Sequence, residues 1–85
     1  MKNRIALIGI LVENKSVTDK INDLLHQYGE YIIGRMGLPH RERDISIISI
    51  VIDAPNEIIS SLSGKLGMID GISVSAVYSK VKDKE

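Results

Sequence analysis

The chain of 85 residues has no cysteine, no tryptophan and no phenylalanine, and three tyrosines are its only aromatic residues. Without cysteine this chain forms no disulfide, no thiolate metal site and no iron–sulfur ligation, which fits a reducing compartment. Charge of one sign is missing as well. Eleven Lys and Arg balance eleven Asp and Glu, so no net field draws the chain to nucleic acid or to an acidic membrane surface. Long hydrophobic runs are absent too. Lys2 and Arg4 precede an apolar stretch from Ile5 to Val12, but that stretch is short and β-branched and lacks a small-residue cleavage site, unlike a secretory signal. A membrane-spanning helix needs about 20 apolar residues. The expectation is a soluble, cytoplasmic protein with no membrane partner.

What is present is isoleucine in strand-like runs. Hydrophobic residues make up 44% of the chain, which separates it from disordered sequences and allows one modest core. From Asp44 to Asp53 no Gly or Pro interrupts the pattern and β-branched residues dominate, the signature of a strand. Ile45, Ile47, Ser49 and Val51 share one face, and Ser46, Ile48, Ile50 and Ile52 share the other. Both faces are apolar, so this strand belongs in the middle of a sheet with cover on each side. Ile5 to Val12 reads the same way, with Ile5, Leu7 and Leu11 opposite Ala6, Ile8, Ile10 and Val12.

Between these runs the period changes. Ser16 is a suitable helix N-cap with Asp19 at the capping-box position. Val17, Ile21, Leu24, Leu25 and Tyr28 follow at helical spacing until Gly29. Tyr31 to Gly37 reads as a less regular strand, and Leu38 to Arg43 as a charged connection closing an antiparallel hairpin. Pro55 opens a second helix whose buried stripe is Ile58, Ile59, Leu62 and Leu66, with Gly67 as its C-cap. Asp70 and Gly71 make a turn into a last strand, Ile72 to Ser79, that alternates apolar and serine residues as an edge strand does. Residues 4–80 form a single domain in this reading, and 81–85 a polar tail.

The order is βαββαβ. Right-handed crossovers put the first and third strands in the centre, giving an α+β, ferredoxin-like sandwich: a four-stranded antiparallel sheet with two helices on one face. The centre of the sheet is then made of the two strands that are apolar on both faces. The face away from the helices is left open, and an apolar patch of that kind marks an interaction surface. We therefore expect a homo-oligomer, dimer or tetramer, with Ile8, Ile10, Ile48 and Ile50 in its interface.

Sites must be argued residue by residue on such a common fold. RNA-binding modules of this topology stack bases on aromatics of the first and third strands, and those strands have none. Two G-x-x-G segments, 34–37 and 64–67, fall at a strand end and a helix end, where backbone geometry accounts for them. No Ser/His/Asp or paired-carboxylate constellation stands out, so an enzyme is not expected. The densest chemistry lies between Gly34 and Asp44. There Gly34, Arg35, Gly37, His40 and Arg41 are candidate ligand-binding residues for an anion or carboxylate at a subunit boundary. His26 and His40 supply a rival reading, a metal-binding accessory protein that joins them across subunits. Within one chain no metal site is expected, and the residues name no cofactor.

Three segments carry a resemblance: RIALIGILV at 4–12, IIGRMGLPHRER at 32–43, and ISSLSGKLGMIDGISV at 59–74. Together with the Ile-rich strand they resemble the family of iron-only hydrogenase system regulators over nearly the whole chain. That family is similar to ACT domains and to the C-terminal domain of the nickel-responsive regulator. The resemblance implies an ACT-like, oligomeric regulatory protein linked to iron-only hydrogenase maturation or expression. The nickel regulator carries a separate DNA-binding domain and binds nickel through His and Cys. This chain has no cysteine and no matching histidine cluster, and nothing in it reads as a DNA-binding domain. A small-molecule effector between subunits, or a protein partner, is the expected input.

Overall fold

The computed structural model describes residues 2–80; the tail expected at 81–85 lies outside them. The first strand, β1, runs Asn3–Val12, followed by helix α1, Thr18–Gln27. Strand β2, Ile32–His40, and strand β3, Ile45–Pro55, form the hairpin, and helix α2, Asn56–Gly67, leads to strand β4, Ile72–Tyr78. All three pairings are antiparallel and the strand order is β2-β3-β1-β4. The two strands apolar on both faces are indeed the central ones, and the fold is α+β and ferredoxin-like.

One face of the sheet carries the core. Ile8 and Ile10 of β1 and Ile50 and Ile52 of β3 are fully buried together with Ile21 of α1 and Ile59, Leu62 and Leu66 of α2. Fully burying each such side chain contributes roughly 1.5–3 kcal/mol relative to leaving it in water. Among the described residues no polar or charged side chain is buried in this layer. No helix among them is long and apolar enough to cross a membrane.

This placement corrects the expected interface. Ile8, Ile10, Ile48 and Ile50 lie in the core on the helix side of the sheet, with exposures of 0–7%, and so are not on the surface of the folded chain. Side chains alternate along a strand, so the open face belongs to their neighbours Ile5, Leu7, Leu11, Ile47 and Val51. Two strands apolar on both sides do not reveal which side the helices choose. The crossover connections decide that.

Helix ends differ from the sequence reading in detail. The cap of the first helical segment is Asn14, not Ser16: Asn14 Oδ1 accepts from the Ser16 amide at 3.0 Å and from the Ser16 hydroxyl at 2.7 Å. A 3-10 turn, Lys15–Val17, then precedes α1. Gly67 is the last helical residue of α2 and Met68 follows as its C-cap. The second strand continues past Gly37 to His40, because an edge strand tolerates Pro39 without needing its missing N–H. Arg41–Arg43 form a 3-10 turn closed by Asp44, at φ 56°. Asp tolerates this left-handed conformation better than most residues, and the Asp44 carboxylate also meets Lys15 Nζ at 2.8 Å.

Gly71 joins β4 to the rest. Its φ of 85° favours glycine, and a methyl group there would overlap the Asn14 side chain. Its carbonyl accepts from the amides of Glu13 and Asn14 at 2.8 and 3.0 Å. The end of β1, the start of the first helical segment and the start of β4 are thereby held at one point.

Candidate functional site

The segment singled out in the sequence separates into two places. Arg35 and Gly37 stand on the helix side of β2, opposite Ile50 and Ile48 of β3. Gly34 faces the other way, opposite Val51, next to a bulge between Ile32 and Gly34. His40 and Arg41 sit at the hairpin tip, both exposed. Five residues of strand separate Arg35 from His40, about 17 Å at roughly 3.4 Å per residue. One chain therefore does not bring the five residues around one ligand.

What the fold assembles instead is a cleft between α1 and the outer half of β2. Residues beneath the start of α1 are small or cyclic on this side: Gly37 and Pro39 of β2 and Ser46 of β3. Thr18, Asn22, Arg35 and Leu38 complete a depression of about 200 Å³. A second one, of about 280 Å³, is lined by Asn22, Leu25, His26, Gly29, Ile32 and Arg35. Arg35 and Asn22 belong to both and form the bar between them, with Arg35 Nη2 donating to Asn22 Oδ1 at 2.6 Å.

The electrostatics of the bar are specific. A guanidinium carries five N–H donors in a planar fork suited to carboxylate or phosphate. Here the partner that Arg35 holds is a neutral amide, so its charge stays available to an incoming anion. Thr18, Asn22 and His26 recur every four residues and so line one stripe of α1 towards Arg35. The Thr18 hydroxyl is engaged with the Lys15 carbonyl at 2.8 Å. Of the α1 residues at this cleft only His26 was singled out in the sequence, and there it was joined with His40 instead. The four-residue spacing of Thr18, Asn22 and His26 is the signal in the chain that groups them on one side of α1.

His26 lines the cleft while His40 stands at the hairpin tip. Among the described residues no three His, Asp or Glu side chains converge as a metal site would need. A second polar group joins the two helices: the Tyr28 hydroxyl shares a hydrogen bond of 2.8 Å with Ser61 Oγ, and Lys65 Nζ stands 5.4 Å from the Tyr28 ring centroid. The Ser61 hydrogen bond, aided by Lys65, holds the Tyr28 phenol below its ordinary value of 10.0. Tyr28 is buried and packs with the core, so this group ties α1 to α2.

On the open side of the sheet, Leu7, Leu11 and Ile5 are each 43–45% exposed, and Met36, Leu38 and Val77 more so. Sequence reading expected such a face but assigned it the wrong residues.

Comparison with known proteins follows the fold. Residues 4–76 match the TM1266-like family, designated iron-only hydrogenase system regulator. The solved structure of the uncharacterized protein TM1266 from Thermotoga maritima is 38% identical, with a TM-score of 0.87 over 92% of this chain and 99% of that one. The C-terminal domain of the MgtC protein from Mycobacterium tuberculosis aligns at 12% identity and TM-score 0.70, over 96% of this chain and 94% of that one. A formyltetrahydrofolate deformylase from Pseudomonas putida aligns at 10% identity and TM-score 0.62, over 86% of this chain and 28% of the enzyme. These last two show the fold alone. Among curated proteins none matches.

Proposed function

Because this chain belongs to the TM1266-like family of iron-only hydrogenase system regulators, we propose that it is a non-catalytic, homo-oligomeric module that binds a small anionic effector and passes that state to a protein partner of the hydrogenase system. Arg35 anchors the effector in this reading. The observation that carries it is the guanidinium set between two depressions and bonded to the neutral Asn22 amide at 2.6 Å. A carboxylate or phosphate replaces that amide with a charge-assisted, bidentate partner, which is roughly twice as strong as a neutral hydrogen bond. Leu25 and Ile32 then offer apolar contact to the body of a small ligand. His40 and Arg41 act separately, at the exposed hairpin tip, where they are available to a partner.

The test is a thermal-shift series with small carboxylates and phosphates on the full chain. A ligand at one hundred times its Kd stabilises the folded state by about 2.7 kcal/mol. At least one anion is expected to raise Tm in the native chain and to lose that effect in Arg35→Ala, while Arg41→Ala keeps it. A panel without any shift, or an Arg35→Ala variant that responds like the native chain, removes Arg35 as the anchor.

A further inference from the structure

The open face of the sheet can be read row by row from the strand register. Leu7 of β1 lies level with Val51 of β3 and Val77 of β4. Two residues on, Gly9 lies level with Ser49, Ser75 and, through Ser49, Met36 of β2. Two further on, Leu11 lies level with Ile47, with Ser73 and, through Ile47, with Leu38. Across the two central strands this makes a ridge, a trough and a ridge. The trough is a depression of about 250 Å³, floored and walled by Gly9, Ser49 and Ser75 with Leu11, Ile47 and Ser73.

Gly9 is the informative residue. It lies inside a central strand, where glycine is destabilising by roughly 0.5–1 kcal/mol relative to alanine. Nothing among the described residues requires it: its φ is not in the left-handed region, and an added Cβ would meet only the Ser75 carbonyl oxygen, at 3.9 Å. A glycine inside a strand often marks a bulge, a bend or a close approach of another backbone, and the register of β1 with β3 and β4 runs through Gly9 without a shift.

From this we propose that the ridge–trough–ridge face packs against the same face of a second copy, the Leu7 or Leu11 ridge of each copy entering the Gly9 trough of the other. The inference rests on the oligomeric reading above and names the surface that reading uses. Three observations favour a copy of this chain as the occupant. No charged side chain stands in the three rows, and a two-fold contact sets this face against its own copy, so a charged row would have lain close to the same charges of the copy. Antiparallel pairing also places Leu7 with Val51 and Leu11 with Ile47 on either side of the Gly9–Ser49 pair, so one face offers both the ridge and the trough that an isologous contact fits together. The area is of the right order. Four strands ~4.8 Å apart over about seven residues of ~3.4 Å rise give a flat footprint on the order of 450 Å², a little over half of the ~800 Å² per partner of a standard interface before side-chain relief is counted.

Sedimentation equilibrium of the full chain across the micromolar range tests this, with circular dichroism as the check on folding. The native chain is expected to be a dimer or a larger closed assembly. Leu11→Glu, and independently Leu7→Lys, is expected to give a folded monomer, since both positions are half exposed in one chain. Gly9→Val is expected to keep the fold and weaken association at least tenfold, because it fills the trough. A monomeric native chain overturns both the oligomeric reading and this surface. A native oligomer that survives all three substitutions overturns the surface alone and places the contact elsewhere.

Discussion

The two faces of this sheet are built from the same residue types and have different fates. Ile8 and Leu7 are neighbours in sequence, yet Ile8 is 0% exposed under the helices while Leu7 is 44% exposed on the other side. Hydrophobicity alone does not distinguish them. The covered face is closed by Ile21 and Leu25 of α1 and by Ile59, Leu62 and Leu66 of α2, whereas the open face has ridges, a trough and no cover among the described residues. An apolar strand face is therefore a requirement for cover, and the connections decide whether the same chain supplies it.

Paired truncations sharpen the contrast most. Ile8→Ala is expected to lower the unfolding free energy by about 2–5 kcal/mol, the cost of a cavity in a closed core. Leu7→Ala is expected to cost about 1 kcal/mol in dilute protein, because nearly half of the side chain is already in water. Urea titrations at two protein concentrations check both. The Leu7 effect should grow with concentration if a partner covers it, and the Ile8 effect should not. Equal costs in dilute protein would erase the distinction between the faces.

A smaller effect is expected where the covered layer is tied at its end. Gly71→Ala forces a side chain into a left-handed backbone and against Asn14, and is expected to destabilise by more than about 1 kcal/mol. Asn14→Ala removes the capping acceptor and is expected to cost about 1 kcal/mol. Thermal unfolding reads both, and the double variant should lose less than the sum, since the two sites share a contact.

The smallest effect concerns Tyr28, on the covered side. Its phenol is held below its ordinary value mainly by the Ser61 hydrogen bond and further by Lys65. A folded-state value below the unfolded one adds stability only at alkaline pH: the contribution appears as pH rises through the folded value and is complete above the unfolded value. At neutral pH it adds nothing. Ser61→Ala should move the Tyr28 phenolate absorbance to higher pH, and an unmoved titration would show that Ser61 does not hold the phenol.

Much of the fold was legible along the chain. Ile5 to Val12 and Asp44 to Asp53 announced central strands because both of their faces are apolar, and the order of elements then dictated the strand arrangement. Helix stripes such as Ile21 with Leu25, and Ile59 with Leu62 and Leu66, were readable from their spacing. The caps were less so: Asn14, Ser16 and Thr18 are all reasonable capping residues, and which one serves depends on where Gly71 brings the chain back. The candidate site was legible only in part. Arg35 and Gly37 were visible among the five candidates of the Gly34–Asp44 stretch, but Asn22 and His26 join them through the packing of α1 beside β2, and His40 and Arg41 leave them because β2 continues as a strand.

Composition, alternation and period determined the elements, their order and the need for a covered sheet on both sides. They act over a few residues, through side-chain direction and local backbone preference. Only the tertiary structure decided that Ile8, Ile10, Ile48 and Ile50 face inwards and that Leu7, Gly9 and Leu11 face out, because that choice is made by crossovers spanning dozens of residues. It likewise decided that Arg35 stands beside Asn22 with its charge unmatched, since the two meet only when a helix is laid along the edge of a sheet.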